Sequence, residues 1–256
     1  MKIKEKHPPY VKTDEEIRLM AASGRICSEV LRKVIEKVKV GVACKTLDEI
    51  ARNEIKKREA SSSFMTADDY RWTICTTVNE EVVHGIPKKR KLQEGDILGI
   101  DIGALYKGYH SDMASSLGVG KIAEEKQKFL EVGEKTLKWA IDKARIGNRI
   151  GDISAAIQDG IESRGYSVVR NLTGHGIGKK LHEDPIVPCF GKKGTGPKIL
   201  ENMVLAIEVI YTQGAGEVKV GKDGWTISSS DGSLGGLFEQ TIAITKNGPI
   251  VLTPYL

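Results

Sequence analysis

The sequence predicts an α+β protein in which helices cover one face of a largely antiparallel β-sheet. Two observations support this prediction. A pair of amphipathic helices followed by strand-like segments occurs twice along the chain, and two of the strand-like segments are adjacent and read as a hairpin. With 256 residues, the chain is long enough to bury a core without help from a metal ion or a disulfide.

The first half begins with a helix in "TDEEIRLMAASGRICSEVLRKVIEKV", where apolar residues recur at helical spacing. Thr13 stands at the start of this helix and Glu16 follows three residues later, which is the pattern of a capping box. We expect a second helix in "KTLDEIARNEIKKREA". The strand-like segments that follow are "WTICTTV", "DILGIDIGAL" and "GYHSDMASSLGV".

The second half repeats this order. The segments "EEKQKFLEVGEKTLKWAIDKARIG" and "GDISAAIQDGIESRGY" predict another helix pair, and "MVLAIEVIY" and "FEQTIAIT" predict further strands. An offset of 106 residues aligns Gly41 with Gly147 and matches several helix residues. We therefore expect a long-period repeat, with halves at about 10–118 and 119–256 inside one domain that spans 1–256.

Composition narrows the classes of protein to consider. The first 25 residues contain no apolar run typical of a signal peptide, and no segment is long and apolar enough to span a membrane, so we expect a soluble cytoplasmic protein. The four cysteines are far apart in the sequence, which argues against a disulfide framework or a structural zinc site. The net charge is +5, and the densest basic cluster, Lys88 to Lys91, is interpreted as a solvated loop, with a weak attraction to RNA as the alternative.

The predicted hairpin places two aspartates on one face of the sheet. A two-residue turn at 106–107 would put Asp101 opposite Asp112. A turn at 107–108 would put Asp101 opposite Ala114, with Asp112 as a diagonal neighbour on the same face, because side chains alternate with a period of two. Facing carboxylates need a cation between them, a shared proton or an exposed sheet face. The hairpin alone leaves these three explanations open.

Three residues in the second half favour the cation. Glu208 and Glu239 lie in strand-like apolar segments, where an ionised glutamate is rarely buried without a partner. His175 lies between glycines in "NLTGHGIG", and we expect these glycines to form a tight turn that brings the backbone close to a metal. Four carboxylates and one imidazole suit two divalent first-row ions.

The chain resembles the type I methionine aminopeptidases over nearly its whole length. The resemblance is carried by "VNEEVVHGIP", "GDILGIDIGALYKGYHSDMASSLGVG", "SVVRNLTGHGIGKKLHEDP", "LAIEVI", "KDGWTISSSDGS" and "FEQTIAIT". It implies the pita-bread fold, in which a pseudo-twofold antiparallel sheet covered by helix pairs holds two divalent ions. It also implies a monomer that removes the initiator methionine from nascent proteins whose second residue is small. The family's ligands fall here on Asp101, Asp112, His175, Glu208 and Glu239.

The resemblance also implies roles for other residues. Glu208 would carry the proton of the attacking water, His182 would bond the substrate carbonyl, and His84 would contact the substrate near the scissile amide. The methionine side chain would lie against Tyr70, Cys75, Leu181 and Trp225. The sequence departs from the family in 61–74 and at Leu181, where an aromatic residue is frequent, and in the residues that follow two of the ligands, Val209 and Gln240. Cobalt, manganese, iron and zinc all accept such ligands.

Three rival interpretations fit the sequence less well. Prolidase, aminopeptidase P and creatinase relatives carry a sizeable additional N-terminal domain, which we do not expect in a chain of 256 residues. A catalytically inactive pita-bread module that binds the ribosome or RNA fits the basic charge, but such modules usually lack ligands. A glycosidase carboxylate pair leaves His175, Glu208 and Glu239 unexplained. The expected partners are the N-terminal methionine of nascent polypeptides and, weakly, the ribosome; no DNA or membrane partner is expected.

Overall fold

The order of helices and strands is that of an α+β protein. The structure is a computed structural model, and it describes residues 10–66 and 69–256. The helices are α1 (Asp14–Ile35), α2 (Cys44–Lys57), α3 (Glu124–Lys143) and α4 (Ile150–Glu162). The strands are β1 (Ser61–Ser62), β2 (Ile74–Val78), β3 (Glu81–Val83), β4 (Ile97–Tyr106), β5 (Tyr109–Gly118), β6 (Ser167–Val168), β7 (Thr173–Gly176), β8 (Glu183–Pro188), β9 (Val204–Thr212), β10 (Val218–Val220), β11 (Ile227–Ser229), β12 (Gly235–Thr245) and β13 (Gly248–Val251). Within the described ranges, no helix combines the length and the apolar character needed to cross a lipid bilayer.

The strands form one large antiparallel sheet with the order β1-β4-β5-β12-β9-β7-β8. Strands β2, β6 and β13 pair with β4, β9 and β12, and a small separate sheet has the order β10-β11-β3. Helix α1 packs against β4 and β5, and α3 packs against β12 and β9. The predicted fold class, helix pairs covering an antiparallel sheet, is confirmed.

Helix α1 begins where the sequence predicts. The Thr13 hydroxyl accepts the Glu16 backbone N–H at 3.2 Å, and the Glu16 carboxylate accepts the Thr13 N–H at 2.8 Å. These bonds satisfy two backbone donors that the first turn of a helix leaves free. The apolar stripe of the helix, which includes Met20, Leu31 and Val34, is buried against the sheet.

The same offset of 106 residues relates the two helix pairs. The connection between α1 and α2 contains Gly41 with φ +87°, and the connection between α3 and α4 contains Gly147 with φ +97°. A β-carbon at either position would meet no atom within 4 Å, so the backbone conformation and not crowding selects glycine. The two helix pairs therefore use the same kind of connection. The boundaries of the halves stay a prediction.

The hairpin between β4 and β5 adopts the second of the two predicted registers. Tyr106 pairs with Tyr109, so Lys107 and Gly108 form the turn, with φ of +49° and +83°. Positive φ at both positions matches the twist of the flanking strands. Asp101 therefore lies opposite Ala114, and the alternative turn at 106–107 is wrong.

The two halves of the sheet meet at a short seam between β5 and β12. Beyond the paired residues, hydroxyl groups replace the backbone ladder. The Ser116 hydroxyl donates to the Leu237 carbonyl at 2.9 Å and accepts the Leu237 N–H at 3.1 Å. In the same way, the Thr241 hydroxyl donates to the Asp112 carbonyl at 2.7 Å and accepts the Asp112 N–H at 2.9 Å. The register pairs at the seam are Glu239 with Ala114 and Gln240 with Met113.

Candidate metal centre and substrate cavity

Strand register brings the four predicted carboxylate ligands to one face of the sheet. Asp101 pairs with Ala114, Ala114 pairs with Glu239, and Glu239 pairs with Glu208. Asp112 is two residues from Ala114 on the same strand, so it points to the same face. Acidic residues from four adjacent strands, β4, β5, β12 and β9, therefore line one row across the sheet.

His175 joins this face from strand β7, where it lies opposite Ala206 of β9. The predicted glycine-framed turn is wrong, because His175 and both flanking glycines belong to the strand. A β-carbon at Gly174 would lie 2.5 Å from the Ala206 oxygen, and one at Gly176 would lie 2.2 Å from the Asp184 oxygen. The glycines therefore allow close contact with the neighbouring backbones.

The imidazole of His175 is oriented toward the carboxylates. Its Nδ1 donates to the Gly176 carbonyl at 2.8 Å, which leaves the lone pair on Nε2. That Nε2 lies 3.6 Å from Glu208 Oε1 and 4.0 Å from Asp112 Oδ2. Asp112, His175 and Glu239 each offer a ligand atom, and these atoms lie within 4.8 Å of one another.

The electrostatics of the site favour bound cations. Burial raises the pKa of Asp101 to about 7. Burial first, and the neighbouring carboxylates second, raise the pKa values of Asp112, Glu208 and Glu239 well above the ordinary glutamate and aspartate range. Burial also lowers the pKa of His175 to about 4, so this imidazole is neutral near pH 7. A neutral imidazole beside carboxylates is the donor set that a divalent ion requires.

The hydrogen-bond pattern leads to the same conclusion. Asp101 Oδ1, Asp112 Oδ1 and Glu239 Oε1 are buried oxygens with no hydrogen-bond partner among the described residues. Buried oxygens are normally satisfied, and an unmet group calls for an ion or another partner. No lysine or arginine occurs among the described residues that line the cavity. The donors present therefore fit divalent cations.

All the predicted site residues line one cavity of about 130 Å³. The structure brings the five predicted ligands together with the predicted substrate-contacting residues, Tyr70, Cys75, His84, Leu181, His182 and Trp225. Phe64 also lines this cavity, and sequence reasoning missed it. Phe64 is one of two adjacent large apolar residues in the polar stretch "SSSFMT", but its direction depends on a short 3₁₀ helix, Phe64–Thr66.

One wall of the cavity is aromatic and centred on Tyr70. The Tyr70 ring packs edge-on against Trp225 at 5.1 Å and Trp72 at 5.2 Å, and its hydroxyl donates to the Ile74 carbonyl at 3.0 Å. Phe64 contacts the same ring edge-on at 6.3 Å. Because the hydroxyl is already bonded, Tyr70 presents an apolar surface to the cavity.

The two predicted substrate histidines keep access to solvent. His84 follows β3 with a φ of +55°, an unusual backbone conformation for a residue with a side chain. The His182 ring packs edge-on against the His175 ring at 4.4 Å. Partial removal from water lowers the pKa of both His84 and His182, which keeps these rings neutral near pH 7. A neutral imidazole has one N–H to donate to a substrate.

This fold and donor set define a metallopeptidase, and the comparisons with known proteins agree. The model of metallopeptidase family M24 matches residues 18–246. The methionine aminopeptidase of Clostridium perfringens is 44% identical over 243 residues, which cover 95% of this chain and 98% of that protein. The crystal structure of methionine aminopeptidase from Thermotoga maritima superposes with a TM-score of 0.93 at 39% identity, covering 95% of this chain and 98% of that one. The chain belongs to metallopeptidase family M24.

A more distant structure shows the shared fold alone. Prolidase from Pyrococcus furiosus has a TM-score of 0.78 at 23% identity, and the match covers 96% of this chain but 65% of the prolidase chain. The predicted pita-bread fold and the predicted resemblance to methionine aminopeptidases are therefore confirmed. The alternative of an inactive binding module finds no support among these relatives.

Proposed function

We propose that this chain is a metal-dependent aminopeptidase that removes the initiator methionine from nascent proteins with a small second residue. One observation carries the proposal. Four carboxylates and one imidazole from five strands converge on a small cavity that has an apolar wall and no basic side chain among its described lining residues. Methionine aminopeptidase relatives that align with almost the whole chain support the same activity.

Asp101, Asp112, His175, Glu208 and Glu239 are the residues that would hold two divalent ions, with cobalt, manganese, iron and zinc as candidates. When bound in such a site, divalent ions lower the pKa of a coordinated water and polarise a scissile carbonyl. The three unpartnered carboxylate oxygens of Asp101, Asp112 and Glu239 support this assignment.

Three side chains would handle protons and charge. Glu208 would accept the proton of the attacking water and deliver it to the leaving amine, a general base and then a general acid. His182 would donate a hydrogen bond to the substrate carbonyl oxygen as negative charge develops there. His84 would contact the substrate near the scissile amide. Both histidines line the same cavity as Glu208.

The shape of the cavity supports removal of a single residue. A space of about 130 Å³ has room for one side chain and not for a longer piece of polypeptide. Tyr70, Cys75, Leu181 and Trp225 would surround the methionine side chain, and its soft thioether suits an apolar, aromatic wall. A wider adjoining cleft of about 630 Å³ shares His175 and His182 and would take the rest of the substrate.

The test is release of free methionine from short peptides. Protein stripped with a chelator is supplied separately with cobalt, manganese, iron(II) or zinc and mixed with a Met-Gly-Met peptide or a Met-Leu-Met peptide. We expect metal-dependent release that strongly prefers glycine in second position. Glu208→Gln should abolish release, whereas Glu201→Gln, at an exposed site, should not change it. Metal binding without release under all four metals would instead favour an inactive binding module.

We further propose that the protein acts as a monomer in the cytoplasm, with weak ribosome association. All four cysteines are buried and unpaired, as expected in a reducing compartment. In the basic cluster, Lys88 pairs with Asp223 at 3.0 Å, and its three basic neighbours, 89–91, are exposed. Cosedimentation with ribosomes that weakens as salt increases would support an attraction to RNA phosphates. Size-exclusion chromatography with light scattering would test the monomer.

A further inference from the structure

The loop that carries His182 is held from outside the cavity. We call residues 177–182, which lie between β7 and β8, the histidine loop. The His182 ring packs edge-on against the His175 ring, with 4.4 Å between the ring centres. The His182 side chain makes no hydrogen bond with any described residue. The direction of its N–H therefore depends on where the loop places the backbone.

Glu183 connects the histidine loop to Lys12, which lies before α1. Its Oε2 forms an ion pair with Lys12 Nζ, and the two side chains are only 16% and 6% exposed. Its other oxygen, Oε1, accepts the backbone N–H of Lys180 at 3.0 Å. One carboxylate thus bonds the interior of the histidine loop and a lysine distant in sequence.

Lys12 is itself fixed close to a strand of the metal centre. Its backbone N–H donates to the Asn202 carbonyl at 2.8 Å, and Val11 forms an isolated bridge with Met203, directly before β9. Strand β9 carries Glu208. The ion pair therefore ties the histidine loop to the base of the strand that provides a predicted ligand.

The loop's own sequence makes room for this ion pair. A β-carbon at Gly178 would lie 2.6 Å from Lys12 Cε and 2.8 Å from Glu183 Oε1. The pair occupies the space that any larger residue at position 178 would need. The Gly178 carbonyl in turn accepts the His110 backbone N–H at 2.8 Å, which attaches the same point of the loop to β5.

We propose that Lys12 and Glu183 are positioning residues, whose ion pair sets the backbone of the histidine loop so that His182 faces the reacting carbonyl. This role rests on the proposed peptidase function. A buried ion pair adds little net stability compared with neutral side chains of similar size, so its value lies in fixing geometry. A misplacement of about 1 Å at a catalytic group can cost roughly 100-fold in rate.

The key variant is the double substitution Lys12→Met/Glu183→Gln. It removes both charges together, and glutamine keeps the oxygen that accepts the Lys180 N–H, so the fold should be retained. With the Met-Gly-Met peptide we expect kcat to fall by about 10- to 100-fold while KM changes by less than about threefold. Lys12→Arg, which keeps the ion pair, should recover most of kcat. As a matched control, Arg58→Met/Glu54→Gln removes a part-buried pair at the C-terminal end of α2, away from the cavity, and should leave kcat unchanged.

A second readout does not depend on activity. In the zinc-loaded protein, nuclear Overhauser contacts between the His175 and His182 rings report the position of His182. We expect these contacts in the wild type and in Lys12→Arg, and their loss in the double variant. Wild-type kcat together with wild-type ring contacts in the double variant would overturn the positioning role. A wild type that releases no methionine would contradict the proposed function, while the ring contacts would still decide whether the pair positions His182.

Discussion

Metal removal should make the stability of this protein depend on pH in an unusual direction, and Asp101 is the residue to test. Burial raises the pKa of Asp101 to about 7 in the folded chain, whereas an aspartate in an unfolded chain titrates near 3.9. Between these two values the folded state holds a proton that the unfolded state has released. This proton stabilises the metal-free fold fully below about pH 4, and its contribution is lost as pH rises toward 7.

For each proton held in this way, the free energy of unfolding falls by about 1.4 kcal/mol per pH unit as pH rises, so the coupled carboxylates around Asp101 account for several kcal/mol across the window. The raised pKa values of Asp112, Glu208 and Glu239 act in the same direction and steepen the fall. Surface carboxylates affect stability in a lower pH range. Hydrogen bonds lower the pKa of Asp231 to about 2, so its effect is lost only as pH falls below about 4.

The assay is urea unfolding followed by circular dichroism, in chelator, at pH 4.5, 5.5, 6.5 and 7.5. Wild-type stability should fall with rising pH, and Asp101→Asn should reduce the slope by about 1.4 kcal/mol per pH unit. Asp231→Asn is the matched control and should leave the slope unchanged in this range. Saturating manganese or zinc should remove the fall, because the cations replace the protons. A flat profile in metal-free wild type, or an Asp101→Asn slope equal to that of wild type, would refute the reasoning.

Three further substitutions test other parts of the site. His175→Ala removes the only predicted nitrogen ligand and should lower methionine release at least about 100-fold with unchanged circular dichroism, since alanine is compatible with a strand; wild-type turnover would count against this ligand. Phe64→Ala enlarges the cavity, so selectivity for methionine over N-terminal phenylalanine in peptide cleavage should fall several-fold; unaltered selectivity would exclude Phe64 from the pocket. Gly174→Ala places a β-carbon 2.5 Å from the Ala206 oxygen and should lower the free energy of unfolding in urea by more than about 2 kcal/mol. Gly147→Ala, where only φ is strained, should lower it by roughly 1 kcal/mol. Equal losses in the two variants would contradict the role of Gly174 in close strand packing.

The helices were predictable because their signals are local. The capping box of Thr13 and Glu16 marks the start of α1, and apolar periodicity marks the buried face. The sharing of a face by Asp101 and Asp112 was also predictable, since both candidate registers give the same side-chain parity. The choice between the two registers was not predictable, because the observed turn places a lysine, Lys107, in the left-handed region of backbone conformation.

The remaining errors concern tertiary neighbours. The glycines around His175 suggested a turn, but the backbones of β9 and of residue Asp184 approach them from either side, and sequence spacing contains no such information. Phe64 was missed for the same reason, since its contact with the cavity depends on the path of a one-turn helix. The five candidate ligands followed from acidic residues in apolar strand-like segments and from the glycine-framed histidine, and the family resemblance pointed to the same positions. The register of the sheet explains why those positions converge.

The short seam between β5 and β12 affects how the metal-free protein resists degradation. Asp101 and Asp112 lie on one side of the seam, and His175, Glu208 and Glu239 lie on the other, while only two register pairs join the strands directly. Ions bound by ligands from both sides would therefore cross-link the two parts of the sheet. A newly made copy that has not yet acquired them would be weakest along this line and most open to proteolysis there, so metal supply would govern how long the protein persists as well as how fast it works.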